Sequence, residues 1–151
     1  MKTAFRYICF VVVLAMIFSF SVSAADVDEE LMPTASAYFS TYSTCIYRDS
    51  GSNQLELYYD VLSIGTCAKL GAQEVRLMQS SDRVNWTTIR TYTSSSYSGM
   101  IASDTNLHAY SLYTTVPYNY YYKIYVTFYA YKNATNLGRL YDYSDVIYVS
   151  R

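Results

Sequence analysis

The chain has 151 residues, with 11 Lys and Arg against 12 Asp and Glu and a formal net charge of −1. Charged residues make up only 15%, aromatics reach 18% and Tyr alone supplies 20 positions, while Gly is 5 and Pro is 2. This balance excludes a strongly basic nucleic-acid binder, a collagen-like chain and a Pro/Gly-rich disordered one, and the length fits one folded domain.

The first predicted element is an export signal. Lys2 and Arg6 give a basic start, residues 7–20 form an apolar run broken by Ser19, and Val22 and Ala24 occupy the small-residue positions of a cleavage site. The run is shorter than the roughly 20 residues a membrane-spanning helix needs. Residues 1–24 are therefore expected to be a cleaved signal helix that takes Cys9 with it. The product is expected to be secreted, with no membrane span. Residues 25–43 read as a flexible acidic leader: Asp26, Asp28, Glu29 and Glu30 precede Pro33, and no alternation is present. The folded domain is expected over 44–151.

From Thr44 onward, alternation of period two dominates. Leu55, Leu57, Tyr59 and Val61 share one face. Val75 and Leu77 alternate with Arg76 and Met78. Leu112, Thr114 and Val116 alternate with Ser111, Tyr113 and Thr115. The strongest case is 118–130, where Tyr122, Ile124, Val126, Phe128 and Ala130 oppose Tyr121, Lys123, Tyr125, Thr127 and Tyr129. A last strand is expected over 143–149. Turn clusters are predicted at 49–53, 63–65, 80–85, 94–99, 104–106 and 132–138. No helical period of ten residues with a cap follows the signal. The fold class is all-β: a single antiparallel β-sandwich of about seven strands, with a small closed barrel as its rival.

Cys45 and Cys67 remain after the signal. An even pair outside the cytosol predicts a disulfide. A hairpin centred near Gly51, however, sets Cys45 opposite residue 57 or 58, so the chain must bend back after Val61 before the sulfurs can meet. The alternative is two separate thiols.

Two stretches, Gln79–Ile89 (QSSDRVNWTTI) and Val116–Val126 (VPYNYYYKIYV), resemble fibronectin type III-like domains of the immunoglobulin-like sandwich class, and Tyr143–Val149 resembles their last-strand entry. Arg83 departs from that pattern, standing where a Gly would permit positive φ. A likeness covering more of the chain runs through Ile64-Gly65-Thr66, Leu70-Gly71-Ala72, 86–93, 97–105, His108 and 122–130. It is similar to small secreted proteins of Clostridia-type bacteria, a family of unknown function. That resemblance implies export and a sandwich-like domain, and it implies no activity.

No catalytic, cofactor or metal residues are predicted. His108 is the single histidine, and its phase points to a structural role. With one His and two Cys there is no zinc set, and Asp104 to Asn106 and Asp142 to Asp145 are only fragments of a calcium loop. Asp60, Glu74, Asp142 and Asp145 are too scattered for a carboxylate pair to be read from spacing. The informative excess is tyrosine. Tyr121, Tyr125, Tyr129 and Tyr131 fall on the outward parity of one strand, and Tyr113 is expected to join them from a neighbouring strand. Rigid rings with a polar tip suit recognition of an extracellular protein or a carbohydrate. Asn85-Trp86-Thr87 and Asn133-Ala134-Thr135 match the glycosylation sequon. The leading expectation is a non-enzymatic extracellular binding module. Its alternatives are a structural or protective secreted protein without a discrete ligand, and a small glycan hydrolase.

Overall fold

A computed structural model describes residues 37–151, so the signal and most of the acidic leader lie outside the described residues. Seven strands follow: β1 (Phe39–Arg48), β2 (Gln54–Ser80), β3 (Thr87–Thr93), β4 (Ile101–Thr115), β5 (Tyr120–Asn133), β6 (Asn136–Tyr143) and β7 (Ile147–Val149). A 3-10 turn, Ser98–Met100, precedes β4. Among the described residues there is no α-helix, and no helix is long and apolar enough to cross a membrane.

All pairings are antiparallel and belong to one seven-stranded sheet, in which β2 contacts β1, β3, β4 and β5. The sheet is creased across β2 and β4. Register shifts between Leu62 and Cys67 of β2, where the partner advances only from Leu107 to Thr105. Gly65 (φ +74°) and Asp104 (φ +53°) provide the left-handed backbone that bends each strand there. The sequence clusters at 63–65 and 104–106 thus mark a fold line within two strands. Expected as chain reversals, they bend the sheet without ending either strand. One layer holds β1, residues 54–62 of β2 and 107–115 of β4. The other holds β3, residues 67–80 of β2, residues 101–105 of β4, β5, β6 and β7. The arrangement is sandwich-like, with its two layers drawn from one continuous sheet.

The core lies between the layers. Leu55, Leu57, Tyr59 and Val61 from one side and Val75, Leu77, Ile124, Val126 and Phe128 from the other are fully buried. The Tyr59 and Phe128 rings meet edge to face at 5.8 Å. The Tyr59 hydroxyl donates to the Met100 carbonyl at 2.6 Å, which satisfies its one buried donor. Gly71 sits where the backbones crowd: a Cβ there would lie 2.1 Å from the Met100 oxygen.

Three boundaries differ from expectation. β1 begins at Phe39, inside the expected leader, because the Phe39 ring belongs to the core. The segment 132–138 is partly a strand: only Ala134 and Thr135 separate β5 from β6, and Gly138 presses against the Tyr38 side chain. The expected last strand is divided at Ser144, whose hydroxyl accepts the Ile124 N–H at 2.9 Å while its own N–H donates to the Ile124 carbonyl.

The expected disulfide is absent; both thiols are free. Parity explains this. Cys45 pairs with Tyr58 on the outward face of the first layer, between the buried Thr44 and Ile46, whereas Cys67 points into the core.

Candidate functional site

The perfect alternation of β5 positions the site. Its even residues from Tyr122 to Ala130 are buried, so Tyr121, Lys123, Tyr125, Thr127 and Tyr129 are turned outward as a half-exposed row. Neighbouring strands widen that row. Register sets Arg76 of β2 and Tyr143 of β6 on either side of Tyr125, and Glu74 and Tyr141 on either side of Thr127. Tyr148 of β7 lies opposite Tyr121.

The rings touch. Tyr121 and Tyr148 are 4.8 Å apart between centroids, and Tyr125 and Tyr143 also 4.8 Å. Tyr125 and Tyr141 stack at 5.7 Å within 11° of parallel, and Tyr129 and Tyr131 at 6.4 Å within 5°. Cations lie over this sheet of rings. The Arg76 guanidinium is 5.6 Å from the Tyr125 centroid and that of Arg83 is 5.3 Å from Tyr121. The Lys123 ammonium sits 4.4 Å from Trp86 and 4.8 Å from Tyr143. Lys123 therefore joins two aromatics rather than interrupting the row. Burial among these rings pushes the Tyr125 hydroxyl above its ordinary value.

The turn that carries Arg83 and Trp86 is built by Asp82. Its carboxylate accepts the Asn85 and Val84 backbone N–H groups at 2.8 and 2.9 Å, the Asn85 amide at 2.7 Å and the Ser80 hydroxyl at 2.8 Å. These bonds hold its carboxyl well below the usual range. They also hold Arg83 at φ +64°, a left-handed turn with a side chain in place.

Beside Tyr125 the face dips into an open groove of about 540 Å³. Thr93, Ser94 and Ser95 line one wall, Arg139 and Tyr141 the other, with Glu74 and Arg76 between them. The Arg76 Nε and Glu74 Oε1 form an ion pair at 2.5 Å.

Comparison with known proteins adds little. Neither a protein-family model nor a curated protein matches the chain. One solved structure is similar: the crystal structure of Spo0M, sporulation control protein, from Bacillus subtilis. It has 10% identity and a TM-score of 0.44, over 74% of this chain and 49% of that one. The chain thus spans about half the length of that protein.

Of the expected surface residues, Tyr121, Tyr125, Tyr129 and Tyr131 share the face described. Tyr113 does not. It lies on β4 in the other layer, opposite Glu56, and its hydroxyl donates to Glu56 Oε1 at 3.1 Å. β4 pairs with β2, never with β5, so no register could bring Tyr113 to the row. His108 is half-buried on β4, its Nε2 3.0 Å from the Gly99 carbonyl and its ring stacked on Tyr110 at 6.3 Å. Burial lowers its pKa. Asp60 and Glu74, two of the scattered carboxylates, face outward on different layers. No group of three or more His, Cys, Asp or Glu among the described residues could hold a metal ion. Sequence reasoning missed Arg76, Arg83, Trp86, Tyr141, Tyr143 and Tyr148 as members of the face. The outward parity of Arg76 was legible; its alignment with Tyr125 required knowledge of strand order.

Proposed function

We propose that the chain is an exported, non-enzymatic binding module that recognises an extracellular ligand through the outer face of β5, β6 and the second half of β2. The observation that carries this reading is the density of the face: seven tyrosines on β5, β6 and β7 form ring pairs beside Trp86 of the adjoining turn, with Arg76, Arg83 and Lys123 placed among them. Aromatic rings held rigidly by a sheet give contact area at small entropic cost. Export rests on the signal layout of residues 1–24, and membership among small secreted proteins of Clostridia-type bacteria rests on the sequence likeness. Binding rather than catalysis is supported by His108, whose Nε2 is engaged by a backbone carbonyl, and by the separation of Asp60 and Glu74 between layers.

A second reading, a structural secreted protein with no discrete ligand, draws on the cations that already cover Tyr121 and Tyr125. One experiment separates them: a glycan-array and cell-surface pull-down screen with the native chain and a Tyr121/Tyr125/Tyr129 triple-Ala variant of verified fold. Capture by the native chain that the variant loses supports the module. No capture by either chain supports the structural role.

A further inference from the structure

We infer that the ligand of this face is a carbohydrate chain, seated in the groove between the Thr93–Ser95 wall and Tyr141. The inference rests on the binding-module reading above and names its ligand class. Two complementary kinds of surface meet in this groove. The Tyr141 ring, which lines the groove and is held near-parallel to Tyr125, is a flat apolar plate suited to the C–H face of a sugar. Directly beside it, the row Thr93, Glu74, Thr127, Tyr141 set by strand register presents hydroxyl and carboxylate oxygens. The Glu74–Arg76 pair, in contact at 2.5 Å, offers acceptors and N–H donors at one point, as a pair of adjacent sugar hydroxyls requires.

The groove's form argues against the other ligand classes. Protein anchors bury in closed apolar pockets. This groove is open and walled by Thr, Ser, Glu and Arg, with no aliphatic side chain among its lining. A nucleic acid would need a run of cations along the groove, and there Arg76 is itself paired with Glu74, in a chain whose net charge is −1. A polysaccharide strand, which is hydroxyl-rich and extended, can lie along an open trough and leave its outer side in water.

The test is affinity electrophoresis of the purified chain through gels loaded with soluble polysaccharides: a neutral β-glucan, a neutral xylan and a uronate-rich polygalacturonate. Variants Tyr141→Ala and Glu74→Gln alter the groove, and Tyr113→Ala alters the opposite layer; near-UV circular dichroism checks each fold. The native chain should be retarded by at least one polysaccharide. Tyr141→Ala and Glu74→Gln should each weaken that retardation about ten-fold, the equivalent of one lost contact, and Tyr113→Ala should leave it intact. Retardation untouched by both groove variants overturns the assignment. So does the absence of retardation in a chain that still captures a surface protein through Tyr121, Tyr125 and Tyr129, which leaves the module reading standing. A chain that captures nothing overturns both.

Discussion

The two outer faces of the molecule are made by the same alternation and differ in what lies beside their tyrosines. On the β5 side, guanidinium and ammonium groups cross the rings. On the β1 side the strand residues facing out include Cys45, Tyr47, Glu56, Tyr58, Asp60, Ser111 and Tyr113, and the charges among them are carboxylates. The Tyr47 and Tyr58 rings stand 6.2 Å apart, and Tyr113 is tied to Glu56 by its hydroxyl. A ring whose face meets a cation is fixed as a plate, whereas a phenol that donates to a carboxylate is held by its edge. Tyrosine content alone therefore does not define a binding face; the cross-strand partner decides what each ring can do.

The largest expected effect removes the comparison altogether. Phe128 touches Tyr42 and Tyr59 from β5 and so ties the layers together. Phe128→Ala should cost about 3–5 kcal/mol, read as a large fall in thermal midpoint and loss of both faces. The next sharpens it: replacing Tyr121, Tyr125 and Tyr129 by Ala should abolish ligand capture, while the matching Tyr47/Tyr58/Tyr113 variant should retain it. A smaller effect tests the cations. Lys123→Met removes a cation from Trp86, the single tryptophan, and should cost about 1 kcal/mol while shifting the emission of that indole.

The two faces were not equally legible. β5 declares itself because Ile124, Val126, Phe128 and Ala130 alternate with Lys123, Tyr125, Thr127 and Tyr129, so burial follows from parity. The hairpin at Gly51 is equally plain, and the structure places Cys45 opposite Tyr58 as the turn requires. The crease is hidden because Ser63, Gly65, Asp104 and Asn106 are the residues of any turn. Only their alignment on adjacent strands makes them a bend. β6 is hidden for a related reason: Asn133, Thr135, Asn136 and Gly138 crowd its start, and tertiary contact of Gly138 with Tyr38 overrides their local preference. With β6 unread, Tyr141 and Tyr143 could not be assigned to the site.

The mildest prediction concerns pH. His108 and Asp82 both have pKa values lowered by folding from ordinary values of 6.5 and 3.8. The unfolded chain then binds more protons than the native one below those values, so stability present above them is lost as pH falls. Tyr59 and Tyr122, raised chiefly by burial from 10.0, act oppositely: their contribution is present below pH 10 and lost as pH rises beyond it. A melting series should show a plateau at neutral pH, a first shoulder below 6.5 that Asp82→Asn leaves in place, and a second below 3.8 that this variant removes. Because Asp82 shapes the turn carrying Arg83 and Trp86, Asp82→Asn should also weaken ligand capture at neutral pH.

The most direct measurement maps the bound ligand on the unmodified protein. Tyrosine ring signals of the chain, assigned by NMR, would be followed during addition of the captured polysaccharide. Shifts are expected to concentrate at Tyr125 and Tyr141 and to reach Tyr143 and Trp86, with Tyr47, Tyr58 and Tyr113 still. Shifts centred on Tyr47, Tyr58 and Tyr113 would contradict the proposal, because the carboxylate-lined layer would then be the binding surface.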